Sequence, residues 1–209
     1  MKRVAVVTGA GGGIGQAVSK ALRVEYPTHP LKRAQYNVVS DSFPVRNCSI
    51  LVCCHAASIG VSFLRQLEVD LVGAYNACMA VLPGMVERRF GRIVLLGSIR
   101  AHQPRPIGQI AYAAAKAGIE GLARAIASEY GGFGITCNVV APGAVDTPRT
   151  RANIAAGTVS EADLISRTPA GRLATVQDVA AAVLWLCSDS AAMVNGQVIT
   201  VDGGWSIRG

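Results

Sequence analysis

The feature that most constrains this chain is a set of apolar runs that do not alternate. "RVAVV" at the start, "SILVCC", "GRIVLLGS", "GITCNVVAPG" and "GQVITV" each place apolar side chains at consecutive positions. A strand with one wet face alternates apolar and polar residues. A continuous run is buried on both faces, as in a parallel sheet covered by helices on each side. Helical patterns separate the runs. From Tyr112 to Glu129 the residues Ile119, Leu122, Ala123 and Ile126 follow i, i+3, i+4, i+7 spacing, and Gly131–Gly132 ends the stretch. Alternating strands and helices imply a doubly wound, Rossmann-type α/β domain with a parallel sheet, one domain over residues 1–209.

Further elements complete the expectation. "YNVVSDSF" reads as the second strand and residues 64–85 as a helix. Thr175 and Asp178 form a capping-box arrangement ahead of "VAAAVLWLCSD". Hydrophobic residues make up 51% of the chain and charged residues 16%, which allows a large core and argues against disorder. The net charge of +7 comes from scattered basic residues, without a long basic run interleaved with aromatics. That pattern argues against nucleic acid as a partner and leaves room for anionic substrates or cofactors. Six cysteines lack metal-ligand spacing, so no metal is expected, and they read as small apolar residues of a reduced compartment. No uninterrupted apolar span reaches membrane length, and the opening apolar run is too short for a signal sequence. The expectation is a cytoplasmic protein with no membrane partner.

Three motifs carry chemistry. "TGAGGGIG" sits between the first strand and the first helix, with Gly9, Gly13 and Gly15 in the turn. Glycines there let backbone N–H groups approach a pyrophosphate, and a helix N-terminus favours its negative charge. Tyr112 and Lys116 are four residues apart, on one face of a helix. A tyrosine is a weak base at neutral pH unless its phenolate is stabilised, and a neighbouring lysine charge does that. Ser98 ends the "GRIVLLGS" strand, where its hydroxyl either meets a substrate or binds its own backbone.

The stretched glycine motif, Ser98, Tyr112-x-x-x-Lys116 and "NVVAPGAVDT", in that order, resemble the short-chain dehydrogenase/reductase family, as does the ending "GRLATVQDVAAAVLWLCSDSAAMVNGQVITVDGG". The resemblance implies an NAD(P)-dependent oxidoreductase that interconverts a secondary alcohol and a ketone by direct hydride transfer. It makes Tyr112 the acid/base, Ser98 the donor to the substrate oxygen, and Lys116 the partner of Tyr112 and of the nicotinamide ribose. It places Thr8, Gly9, Gly13, Ile14 and Gly15 against the pyrophosphate, and Pro142, Gly143, Val145 and Thr147 along the nicotinamide. It also implies a homodimer or homotetramer in which the Tyr112–Glu129 helix pairs with its copy.

The chain departs from the family pattern at several points. Asp70 stands where the family has an asparagine that holds a water in a proton relay from the lysine, and the family's "NNAG" wall reads "CCHA" or "CHAA". The region between Gly15 and the Ser98 strand, which holds adenosine in the family, is shortened. Asp41 is the candidate ligand of the adenosine ribose, which favours NAD, while Lys32 and Arg33 lean towards NADP; an alternative alignment turns Asn37 to the adenine. In "SIRAHQPRPIGQIAY", His102 and Arg105 are candidates for a substrate carboxylate. The "AHxPR" pattern resembles 2,3-dihydro-2,3-dihydroxybenzoate dehydrogenases, and Pro-Arg-Pro loops are similar to those of sugar-alcohol and 3-oxoacyl-carrier reductases. Arg149 and Arg151 read as solvated charge in a substrate loop. A diol dehydrogenase, a 3-oxoacyl-carrier reductase and a non-catalytic dinucleotide-binding protein all remain open.

Overall fold

The structure is a computed structural model that describes residues 3–32, 47–57, 60–103 and 109–208. Six parallel strands form its sheet: β1 (Ala5–Thr8), β2 (Thr28–Leu31), β3 (Ile50–Cys53), β4 (Gly91–Leu96), β5 (Ile135–Pro142) and β6 (Val198–Val201), in the order β2-β1-β3-β4-β5-β6. The absence of alternation is explained by the layers. Along β1, Val6 enters the core on one face of the sheet while Ala5 and Val7 enter the core on the other. In β4, Ile93 and Leu95 take the first face, and Val94 and Leu96 the second. Each buried Val, Leu or Ile contributes roughly 1.5–3 kcal/mol, so both faces of every central strand stabilise the sheet.

Helices α3 (Gly73–Arg88) and α4 (Ile110–Tyr130) cover the first face, through Ala77, Val81, Met85, Ile119 and Ile126. Helices α1 (Gly13–Leu22) and α6 (Val176–Cys187) cover the second, through Val18, Leu22, Val179 and Val183. The capping box expected at Thr175 and Asp178 forms, with Asp178 N donating to Thr175 Oγ1 at 3.1 Å and Thr175 N to Asp178 Oδ2 at 2.7 Å.

The second strand expected at "YNVVSDSF" lies outside the described residues. The place beside β1 is taken by Thr28–Leu31, in register from Ala5↔Thr28 to Thr8↔Leu31. This strand is at the edge of the described sheet, which is where Pro30, lacking an N–H, is tolerated. The chain thus leaves β1 for β2 on one side and returns to β3 on the other. Ligands of open α/β sheets bind at such a switch point, off the C-terminal strand ends.

The expected helix at 64–85 runs from Phe63 to Arg88 and is not uniform. After α2 (Phe63–Leu67) the residues Glu68–Val72 form a π-helical turn before α3 begins. Among the described residues, Phe63–Arg88 is the one helix long and apolar enough to cross a membrane. Its Ala74, Ala77, Cys78, Val81, Leu82 and Met85 are packed into the core of the sheet.

Candidate active site

The C-terminal ends of β1, β3, β4 and β5 converge on one edge of the sheet. The first, Thr8, leads into the glycine loop. Gly9 adopts φ +66° and lies so close to β3 that a Cβ there would meet His55 N at 2.4 Å. At Gly15 a Cβ would sit 2.3 Å from the Gly9 carbonyl oxygen. The loop is therefore folded on itself more tightly than any side chain allows. Helix α1 opens behind it with Gly12 as an uncapped N-cap and no acidic residue in the first turn. Its leading N–H groups are free of a side-chain cap, and Ile14 packs inward beneath them. An anion such as a pyrophosphate fits this cradle.

The segment after β5 reaches the same loop. Pro142 ends β5, and Gly143 N donates to Val201 O at 3.0 Å. Val145 is buried and bridges to Ala174. Thr147 arrives beside α1, where a Cβ on Gly13 would lie 3.5 Å from its own. Its hydroxyl caps α5 (Pro148–Ala155) by accepting from Thr150 N. Six residues assigned to cofactor contact on two distant stretches, Gly9, Gly13, Gly15, Gly143, Val145 and Thr147, are thus brought to one edge.

Ser98 follows β4, is buried, and accepts a hydrogen bond from Arg100 N at 3.2 Å. Its hydroxyl thus binds its own backbone, as a strand-end serine can. A hydroxyl that accepts from the backbone still has its proton to donate, so the two roles coexist. Helix α4 packs against the Ile99–Ala101 turn behind Ser98 and carries Tyr112 in its first turn, half-buried. One turn on, Lys116 is 3% exposed. Its Nζ lies 5.6 Å from the Tyr112 ring centroid and donates to Leu96 O, at the end of β4, at 2.9 Å. The lysine therefore holds α4 to the strand that delivers Ser98.

Asp70 approaches from the π turn. Leu71 packs on the backbone of Gly118, which brings the turn down onto α4. Asp70 Oδ1 accepts from Ala57 N at 2.6 Å, and Oδ2 lies 3.5 Å from Lys116 Nζ. Both side chains are buried. Where an asparagine would leave the lysine charge uncompensated, the aspartate forms a buried ion pair with it.

His102 takes a different position from the one expected of a substrate ligand. Its Nε2 is 2.9 Å from Oε1 of Glu120, a buried carboxylate eight residues past Tyr112 on α4. That is about 12 Å along the helix axis. Arg105 and Asp41 lie outside the described residues. Lys32 ends the β2 stretch beside the glycine loop, with its Cβ and Cγ 3.9 Å from where a Gly11 Cβ would be. Arg151 pairs with Asp146 and Glu161, each at 2.7 Å.

One residue of the site has no assignment in the sequence, where it is legible only as part of the departure from the "NNAG" pattern. His55 Nδ1 lies 2.6 Å from Thr8 Oγ1. Burial, and then the Lys116 charge, lower its pKa to about 3. Beside it the Cys54 thiol is pushed well up by burial, which leaves it unreactive.

Residues 59–206 match the family model described as Enoyl-(Acyl carrier protein) reductase. The chain is similar to the 3-oxoacyl-(acyl-carrier-protein) reductase FabG of Haemophilus influenzae, 39% identical over 138 residues covering 66% of this chain and 55% of that protein. It is also similar to the 2-keto-3-deoxy-L-fuconate dehydrogenase of Xanthomonas campestris, 34% identical over 166 residues, covering 78% and 54%. The chain spans about half the length of the curated relatives it matches. The crystal structure of an oxidoreductase of the short chain dehydrogenase/reductase family from Burkholderia thailandensis superposes with a TM-score of 0.85 at 30% identity, over 98% of this chain and 93% of that one.

Proposed function

The chain belongs to the short-chain dehydrogenase/reductase family, and on that premise we propose that it is an NAD(P)-dependent oxidoreductase acting on a secondary alcohol and its ketone. The observation that carries this reading is the buried Lys116, set between Tyr112 on its own helix and the strand end that leads to Ser98. Tyr112 moves the proton to and from the substrate oxygen, and Ser98 donates a hydrogen bond to that oxygen. Lys116 lends its charge to the phenol and holds the ribose hydroxyls. When bound, the nicotinamide supplies or accepts the hydride. The glycine loop and the start of α1 hold the pyrophosphate, and Pro142, Gly143, Val145 and Thr147 hold the nicotinamide end.

Of the substrate classes, a 3-oxoacyl thioester reduced to the 3-hydroxyacyl form has the better support. The diol reading draws on the "AHxPR" pattern and on His102 and Arg105 for a carboxylate, and His102 is engaged by Glu120. FabG relatives support the thioester directly. For the cofactor, NAD rested on Asp41. Lys32, exposed beside the glycine loop, favours the 2′-phosphate of NADP. The protein acts in the cytoplasm as a homodimer or homotetramer. The test is reduction of a 3-oxoacyl thioester with NADPH and NADH by the wild type and by Tyr112→Phe. Turnover that disappears in a Tyr112→Phe variant that still binds dinucleotide supports the reading. A wild type that binds dinucleotide and turns over neither oxoacyl nor diol substrates leaves the non-catalytic alternative.

A further inference from the structure

His55 has no part in the proton transfer above, yet both opening residues of the glycine loop rest on it. Thr8 meets its side chain at 2.6 Å, and Gly9 presses against its backbone N. A third contact joins the same two segments, Cys54 N donating to Thr8 O at 3.1 Å. On its other edge, Nε2 is fully buried and makes no hydrogen bond of good geometry, while the Val69 backbone in the π turn faces the ring. Desolvation and the nearby ammonium of Lys116 keep the imidazole neutral. A neutral ring carries one proton. With that proton on Nε2, Nδ1 is bare and free to accept. The Thr8 hydroxyl is then the donor.

We propose that His55 is a positioning residue for the dinucleotide: its Nδ1 accepts the Thr8 hydroxyl proton and fixes the first turn of the glycine loop in the form that receives the pyrophosphate. The inference rests on the dinucleotide reading given above. It deepens that reading by assigning loop order to a side chain two strands away in sequence. A buried hydrogen bond that organises a binding loop is worth about tenfold in affinity when it is lost.

The experiment is a fluorescence titration of NADPH and NADH into the wild type, His55→Leu, His55→Asn, Thr8→Val and the double variant His55→Leu/Thr8→Val. Each variant is first checked for a cooperative thermal transition. His55→Leu is expected to raise Kd about tenfold, with the loss falling on KM for the dinucleotide rather than on kcat. Asparagine can place an acceptor near Nδ1, and His55→Asn is expected to restore binding to within about twofold. Thr8→Val raises Kd in the wild-type background and adds little in the His55→Leu background. A folded His55→Leu variant with wild-type affinity overturns the proposal, as do additive Kd effects of the two substitutions. If His55→Leu fails to fold, the Asn variant and the Thr8 series decide. A wild type that binds neither dinucleotide sinks the cofactor reading itself, a result separate from all of these.

Discussion

Removing one oxygen from Tyr112 separates chemistry from binding. Tyr112→Phe is expected to lower kcat by at least about a hundredfold, within the range that a positioned acid/base contributes, with dinucleotide Kd changed little. Asp70 makes a second prediction. Its carboxylate is buried against Lys116, and removing one partner of a buried pair strands the other charge. Asp70→Ala is therefore expected to destabilise the fold by about 3–5 kcal/mol, measured by chemical denaturation. Asp70→Asn keeps an acceptor for Ala57 N and should lose less. His55 adds a pH dependence with a definite sign. Its pKa is about 3 in the folded protein and near 6.5 when the chain unfolds, so between these values the unfolded state binds more protons. This contribution to stability is complete above about pH 6.5 and is lost as pH falls towards 3. It amounts to a few kcal/mol at most on the order-of-magnitude scale of such shifts. Denaturation midpoints between pH 4 and pH 7 should fall more steeply for the wild type than for His55→Asn; parallel curves would show that His55 is not the group responsible.

At the scale of elements, the glycine loop is the most exposed to a small change. Gly15→Ala would place a methyl 2.3 Å from the Gly9 carbonyl oxygen, and the loop has no slack to absorb it. The expected result is a loss of about 1–3 kcal/mol in stability together with weakened dinucleotide binding, read by melting and titration of one preparation. The same scale shows what sequence patterns carry. The runs at β1, β3, β4 and β5 are legible because continuous burial on two faces leaves a compositional mark, and β6, partly exposed at the other edge, keeps its apolar run by packing Val198 on one face and Ile199 and Val201 on the other. Strand β2 leaves none: Thr28–Leu31 is short, contains a proline, and buries none of its four residues at the edge of the described sheet. The π turn was equally illegible, because it changes hydrogen-bond register without changing hydrophobic spacing enough to notice. Tyr112, Lys116 and Ser98 are legible through the family resemblance that their order carries, since a strand-end serine alone reads as a ligand of its own backbone. The Thr8–His55 contact joins residues 47 positions apart, a distance at which no local pattern operates.

For the whole molecule, the faces left open are as informative as the packed ones. Leu64, Val72 and Tyr75 on the α2–α3 side are 70%, 42% and 48% exposed, and Ala114, Ala117 and Gly121 line the outer side of α4. Small residues there permit a second helix to approach closely. Sedimentation is expected to give a dimer or tetramer, and Ala117→Glu a smaller species; a wild-type monomer at micromolar concentration would refute the assembly. The π turn carries a different consequence for the molecule as a whole. It is a change of phase within one helical run whose parts must each face inward, Asp70 towards Lys116 in the turn itself and the core residues of α3 after it. Deleting one residue from Glu68–Val72 would turn everything downstream by about 100° relative to everything upstream. Surface loops of this chain can drift in length through evolution, but this helix is a clock with its two hands locked, and it can keep only one setting.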